Sequence, residues 1–140
     1  MKYLFVLIFT AFSIVETVGQ CQYNAIITSS VNQLESKGKT TRLNLNGKIQ
    51  ILKDSIFIQQ QVVGQSVRYK YKITETECSA WKESSKMGVL IFMVQQVGSD
   101  KPYEGKIILV KAKNNRVITL LDSIEGKYQI NYEEAQIEEL

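Results

Sequence analysis

The sequence predicts an all-β domain of about eight antiparallel strands, arranged as a small barrel or a sandwich, with one short N-terminal helix. Three observations predict this class. Segments such as VRYKYKI alternate apolar and polar residues, as half-buried strands do. Dipeptides that favour tight turns, Asn46-Gly47 and Asn114-Asn115 among them, separate these segments. The connections are shorter than the crossovers of a parallel sheet, so neighbouring strands should be antiparallel.

The N-terminus has the pattern of a secretory signal peptide over residues 1–19. Lys2 precedes a thirteen-residue run without charge, which Glu16 ends. This run is shorter than the ~20 residues that span a bilayer. We therefore expect a single β-rich domain over residues 20–140, secreted or periplasmic, with no transmembrane segment.

The short helix is expected within residues 23–36. Tyr23, Ile27, Val31 and Leu34 fall near one helical face, and Gly38 follows where a C-terminal cap would stand. The β-branched residues of this segment favour a strand instead, so the two alternatives stay open at this point.

Strands are predicted for most of the remaining chain. The runs at 89–94 and 107–110 have no polar face, which is typical of strands buried on both sides. Residues 75–87 are polar and are expected to form a loop or a covering segment. The predicted strands are TRLNL, KIQILK, IFIQQQVV, VRYKYKIT, GVLIFMVQQV, GKIILVKAK, RVITLLDS and KYQINYE.

The strand VRYKYKI places Tyr69 and Tyr71 on one face and Arg68, Lys70 and Lys72 on the other. We expect the tyrosines to face the interior and the cations to face water or neighbouring strands. A cationic ligand-binding surface is the alternative interpretation of the same row.

Two cysteines in an exported chain usually pair, so a Cys21–Cys78 disulfide is predicted. The stretch Val18-Gly19-Gln20-Cys21 also partly resembles a bacterial lipobox, in which Cys21 would carry a lipid anchor. These two fates of Cys21 are alternatives.

The composition argues against several classes of function. The chain contains no histidine, which removes Ser-His-Asp and Cys-His catalysis and the commonest zinc ligands. A net charge of +3 without an arginine-rich segment does not favour nucleic-acid binding. We therefore expect no enzymatic activity, no metal site, no cofactor and no nucleic-acid partner.

An exported barrel of eight antiparallel strands resembles the lipocalins in architecture. The lipocalin Gly-x-Trp signature is missing, so no family is assigned and no family residues are carried over. We expect a small apolar ligand, since tyrosines on alternating strands combine apolar area with orienting hydroxyls. The candidate ligand-binding residues are Tyr69, Tyr71, Trp81, Phe92, Tyr128 and Tyr132.

The same aromatic residues would also fit an ordinary packed core. The alternative function is therefore a structural or protein-interaction module of the cell envelope or extracellular space, with a protein partner docked on an open sheet face. A ligand carrier requires an interior cavity of about 300 Å³ or more, which an interaction module does not need.

Overall fold

The computed structural model describes residues 21–43, 46–62, 64–98, 100–101, 103–123 and 126–140. Over these ranges the chain forms twelve β-strands and no α-helix, which confirms the all-β class. The predicted signal peptide at 1–19 lies outside the described residues.

The strands follow one another with short connections throughout. They are β1 (Ala25–Ser29), β2 (Val31–Ser36), β3 (Lys39–Leu43), β4 (Gly47–Ile51), β5 (Ser55–Val62), β6 (Gln65–Glu77), β7 (Trp81–Lys82), β8 (Met87–Gln96), β9 (Glu104–Lys111), β10 (Arg116–Ser123), β11 (Gly126–Glu133) and β12 (Gln136–Glu139).

All twelve strands belong to one antiparallel sheet. Its order is β12-β1-β4-β5-β6-β8-β9-β10-β11-β2-β3, and β7 pairs with β8 beside this path. Within the described residues no ladder joins β12 to β3, so the sheet is not closed. The barrel, one of the two architectures that we expected, is therefore not confirmed.

The predicted N-terminal helix is wrong, because residues 25–36 form β1 and β2. Alternate residues of β1 are buried, the period of a strand, and β-branched side chains at 26–28 suit that conformation. Lys37 and Gly38 have φ of 52° and 77° and connect β2 to β3. A two-residue hairpin turn and a helix C-terminal cap both require positive φ, so Gly38 fits either structure.

The Asn46-Gly47 hairpin is also wrong, whereas the hairpin at Asn114-Asn115 is confirmed by the β9–β10 ladder. β3 pairs with β2 and β4 pairs with β1, so β3 and β4 are not partners. Gly47 is instead a buried strand residue. A Cβ atom there would lie 2.7 Å from a ring carbon of Tyr132.

The segment 75–87, expected to be a loop, contains the end of β6 and all of β7. The β6–β8 register shifts between Ile73 and Glu75, which leaves Thr74 as the extra residue of a β-bulge. Thr74 Oγ1 donates to the Met93 carbonyl oxygen at 3.1 Å. Because the bulge reverses the alternation, Glu75 and Glu77 are exposed beyond it.

The two continuous apolar runs are not buried on both faces within the described structure. Leu90, Phe92, Val94, Ile107 and Leu109 point into the core. The alternate residues are only half-buried on the outer face of the sheet, namely Val89, Ile91, Met93, Ile108 and Val110.

The outward orientation of the cationic row in β6 is confirmed. Arg68, Lys70 and Lys72 are exposed, while Tyr71 is buried. The Arg68 guanidinium lies 4.3 Å from the ring centre of Phe57, and Lys70 Nζ lies 5.7 Å from it. The row therefore covers an aromatic side chain of the neighbouring strand β5.

The sheet curls until strands far apart in its order face each other. Gln60 of β5 contacts Tyr132 of β11 at 2.7 Å, although four other strands separate β5 from β11 in the sheet order. The β1–β12 and β2–β11 ladders also continue one another without a shift in register. In both ladders the two residue numbers of each pair have the same sum. Thus β1 and β2 pair with β12 and β11 as two long strands, interrupted near Ser30 and Glu134.

Candidate ligand cavity

The inner face of the curled sheet lines a cavity of about 740 Å³. Residues from six strands and the β8–β9 connection surround it, and four of the six predicted ligand-binding residues are among them: Tyr69, Tyr71, Tyr128 and Tyr132. The tyrosines thus reach the cavity from two strands that are distant in the sheet order, β6 on one wall and β11 on the other.

Tyr69 and Tyr71 reach the cavity from β6 because residues two apart in a strand share a face. Tyr71 is 4% exposed and lies in the interior, whereas Tyr69 is 40% exposed. Tyr69 therefore marks the mouth of the cavity.

Tyr128, Ile130 and Tyr132 form the facing wall from β11. Tyr132 is 1% exposed, and its ring packs on the Cα of Gly47, where any side chain would collide with it. Tyr128 is half-buried nearer the β10–β11 turn.

A hydrogen bond connects the walls. Gln60 Nε2 donates to the hydroxyl oxygen of Tyr132 at 2.7 Å. The hydroxyls of Tyr71 and Tyr128 lie near each other and affect each other's pKa. A side chain of β5 is thereby joined to β11 across the cavity.

Burial controls the ionisation of these phenols. It raises the pKa of Tyr71 well above its ordinary value, and the neighbouring hydroxyl of Tyr128 raises it further. Burial likewise raises the pKa of Tyr132, against the lowering effect of the Gln60 hydrogen bond, and that of Tyr128. The phenols therefore remain neutral hydrogen-bonding groups at physiological pH and do not supply an anion.

Sequence reasoning missed several residues of the lining, among them Leu34, Ile58, Gln60, Gln96 and Tyr103. Gln60 had a readable signal. Ile56 and Ile58 of β5 are buried, so the alternation points Gln60 inward. A polar side chain at an inward position indicates a site that hydrogen-bonds something.

The structure does not bring Phe92 and Trp81 into this lining. Phe92 is 2% exposed within the packed core. The Trp81 and Tyr23 rings contact edge to face, with centres 5.2 Å apart, and Trp81 N donates to the Cys78 carbonyl oxygen.

The predicted Cys21–Cys78 disulfide is present, with Cα atoms 6.4 Å apart. It fixes the start of the described chain beside the Trp81–Tyr23 pair. The Tyr23 hydroxyl donates to Glu139 Oε1 at 3.1 Å, and Lys111 forms an ion pair with the same carboxylate. A disulfide of this kind indicates an oxidising compartment, and it occupies the Cys21 sulfur that a lipid anchor would require.

Two other cavities are more polar. One of about 690 Å³ adjoins the tyrosine cavity and is lined by six charged side chains: Glu35, Lys37, Glu104, Lys106, Asp122 and Lys127. Another of about 420 Å³ is lined by polar residues and Gly47 alone. Only two charged residues, Asp122 and Lys127, line the tyrosine cavity, so it suits an apolar molecule best.

A search of the described residues for three or more clustered histidine, cysteine or carboxylate side chains that could hold a metal ion found none. In the same part of the chain, no helix has the length and apolar character needed to cross a membrane.

Comparisons with known proteins assign no relative. No protein-family model matches the sequence, and no curated protein or solved structure is significantly similar to the chain.

Proposed function

We propose that the protein is an exported, non-enzymatic carrier that binds a small apolar ligand inside its curled sheet. The observation that carries this proposal is the tyrosine-lined cavity of about 740 Å³. Ligand sites in proteins are commonly about 300–1,000 Å³, mostly apolar, with a few placed polar groups. The hydrogen-bonded pair Gln60–Tyr132 and the hydroxyls of Tyr71 and Tyr128 are polar groups of this kind.

The proposal includes a barrel-like enclosure for the ligand. If β1 with β2 counts as one long strand and β11 with β12 as another, these two long strands pair with each other in one register. The sheet then closes as a barrel of eight strands, since β4, β5, β6, β8, β9 and β10 lie between the two long strands. The contact between Gln60 and Tyr132 supports this enclosure, because it crosses the interior.

Export is supported by the disulfide and by the signal-peptide pattern of residues 1–19. A carrier role without catalysis is supported by the chemistry of the cavity. Burial raises the pKa of Tyr71 and Tyr132, so these two phenols stay neutral. Neutral phenols suit binding and orientation better than proton transfer.

The test uses residues 20–140, oxidised, and the neutral apolar dye Nile red. We expect saturable binding of one dye per chain. Gln96 lines the cavity opposite Tyr71, so Gln96→Trp should fill the space and weaken dye binding at least ten-fold. Gln95 pairs with the exposed Lys72 on the outer face. The matched Gln95→Trp variant should therefore bind the dye like the wild type.

Equal affinity of both tryptophan variants, or no saturable binding by the wild type, would overturn the carrier proposal. Native mass spectrometry of the protein purified from its source gives an independent readout. A co-purifying small molecule that Gln96→Trp reduces and Gln95→Trp retains is expected.

The alternative, an interaction module, is favoured by one observation. On the outer face, Val89 pairs with Val110, and Ile91 pairs with Ile108, which in turn pairs with Ile118. No described element covers these half-buried apolar residues, and such patches mark protein interfaces. Under this alternative, Ile108→Lys would abolish self-association or partner binding, as measured by sedimentation velocity, and would leave dye binding unchanged.

A further inference from the structure

The hydrogen bond that joins the walls of the cavity has a direction. The amide N–H of Gln60 has no lone pair to offer, so it can only donate to the Tyr132 oxygen. Tyr132 thus accepts a hydrogen bond from the facing wall and keeps its own hydroxyl proton for another acceptor.

That hydroxyl proton has no protein acceptor among the hydrogen bonds of the described part of the chain. Tyr132 is 1% exposed and lines the cavity, so bulk water does not readily replace a partner there. A buried donor without an acceptor costs free energy comparable to a lost hydrogen bond. An acceptor atom supplied by a ligand in the cavity would satisfy it.

Charge in the lining is confined to one place. Asp122 and Lys127 are its only charged residues, and they lie opposite each other in the β10–β11 ladder, beside the turn. Their opposite charges can neutralise each other there. Deeper in the cavity an ionic ligand group would lose its hydration without gaining a counter-ion, which is strongly unfavourable.

We propose that the ligand of this cavity is an uncharged, largely apolar molecule with a carbonyl or ether oxygen that accepts a hydrogen bond from Tyr132. This inference rests on the proposed carrier function and narrows it to a chemical class. Hydrocarbons lack the acceptor, amines would add donors beside donors, and carboxylates would place a charge beside neutral phenols.

The experiment compares three probes of nearly equal shape, attached at the same position of one ring system: acetylnaphthalene, isopropenylnaphthalene and naphthoate. Affinities are measured by displacement of Nile red at neutral pH. Each hydrogen bond contributes about 0.5–1.5 kcal/mol and each ten-fold in affinity corresponds to about 1.4 kcal/mol. We therefore expect the ketone to bind about ten-fold more tightly than the hydrocarbon, with naphthoate weaker than the ketone.

The variant Tyr132→Phe removes the hydroxyl and keeps the ring. It should reduce the preference for the ketone over the hydrocarbon to less than about three-fold, without weakening the hydrocarbon. Tyr23→Phe is the matched control, a buried tyrosine whose hydroxyl bonds Glu139 outside the cavity, and it should retain the full preference. In the infrared spectrum, the carbonyl band of the bound ketone should lie at lower frequency in the wild type than in Tyr132→Phe.

The outcomes separate the two proposals. If all three probes fail to displace the dye, or the dye itself does not bind, the carrier function is overturned together with this inference. If the hydrocarbon or naphthoate binds as tightly as the ketone, the carrier function stands and the inference is overturned. Should Tyr132→Phe not fold, the infrared band of the ketone bound to the wild type decides alone: a carbonyl frequency as high as that of the ketone in a hydrocarbon solvent would overturn the inference.

Discussion

The close approach of Tyr132 to Gly47 provides a direct test of how the sheet curls. In Gly47→Ala, the new methyl carbon would meet one ring carbon at 2.7 Å and another at 3.0 Å. Ordinary carbon contacts lie at about 3.5–4.0 Å, so the ring or the strand must move by nearly 1 Å. Overpacking of this kind costs about 1–3 kcal/mol.

An opposing effect must be subtracted. Gly47 does not have a positive φ, so alanine brings no backbone strain and lowers the entropy of the unfolded chain. That contributes about 0.5–1 kcal/mol in favour of the variant. We therefore expect Gly47→Ala to be less stable by about 1–2 kcal/mol. Urea unfolding followed by the fluorescence of Trp81, the single tryptophan, measures the free energy of unfolding.

The decisive comparison repeats Gly47→Ala in the Tyr132→Leu background, where the aromatic ring is gone. There the same substitution should be neutral or stabilising, which gives a coupling energy of about 1–2 kcal/mol between the two sites. An equal loss in both backgrounds, or no loss in either, would show that the Tyr132 ring does not pack on β4. The wall that Tyr132 is proposed to form on the cavity would then lose its structural basis.

Three further predictions concern the core, the disulfide and the phenols. Tyr71→Ala should cost about 3–5 kcal/mol and Lys70→Ala less than about 0.5 kcal/mol in urea unfolding; a larger loss for Lys70→Ala would invert the assignment of the two faces. Intact-mass analysis should find no alkylated thiol before reduction, whereas an acylated chain beginning at Cys21 would establish the lipid anchor instead. The double variant Cys21→Ser with Cys78→Ser should lose about 4 kcal/mol of stability in the chain-entropy model. Between neutral pH and about pH 10, the ordinary pKa of tyrosine, stability should change little; above pH 10 it should fall, because the unfolded chain then releases protons that the folded chain retains. The phenolate absorbance of Tyr23, Tyr71, Tyr128 and Tyr132, obtained by difference from variants in which each is replaced by phenylalanine, should rise only together with unfolding. Their ionisation near pH 10 in the folded protein would contradict their raised pKa.

Local features of the fold could be predicted from the sequence. The alternation in VRYKYKI places Tyr71 inside and Lys70 outside, and the Asn114-Asn115 turn joins two neighbouring strands as its chemistry indicates. Both features depend only on residues close together in the chain. The helix at 23–36 was wrong because its apolar spacing and Gly38 fit both secondary structures. The ladders of β1 with the distant strands β4 and β12 hold this segment as a strand, which its β-branched residues also favour.

Pairing between distant strands could not be predicted. Asn46-Gly47 has the composition of a hairpin turn, yet Gly47 is glycine because a ring from β11 rests on it. For the candidate site, too, local features could be predicted and long-range features could not. Alternation identifies which side chains face inward, but it does not reveal their height along the strand. Four tyrosines therefore meet at the cavity, while Phe92 lies in the core and Trp81 beside the disulfide.

The union of the first and last strands has a consequence for how the chain folds. Tyr23 and Glu139, which are hydrogen-bonded, stand 116 residues apart, and Ser29 bonds to Glu133 across 104 residues. Bringing such distant segments together costs about 4 kcal/mol in loop-closure entropy beyond a constant term, before any contact compensates it. A topology dominated by such contacts folds slowly, in milliseconds to seconds. β12, which completes the β1 ladder, follows every other described strand in chain order. The native sheet therefore cannot be complete before β12 is available to pair, after all the other strands.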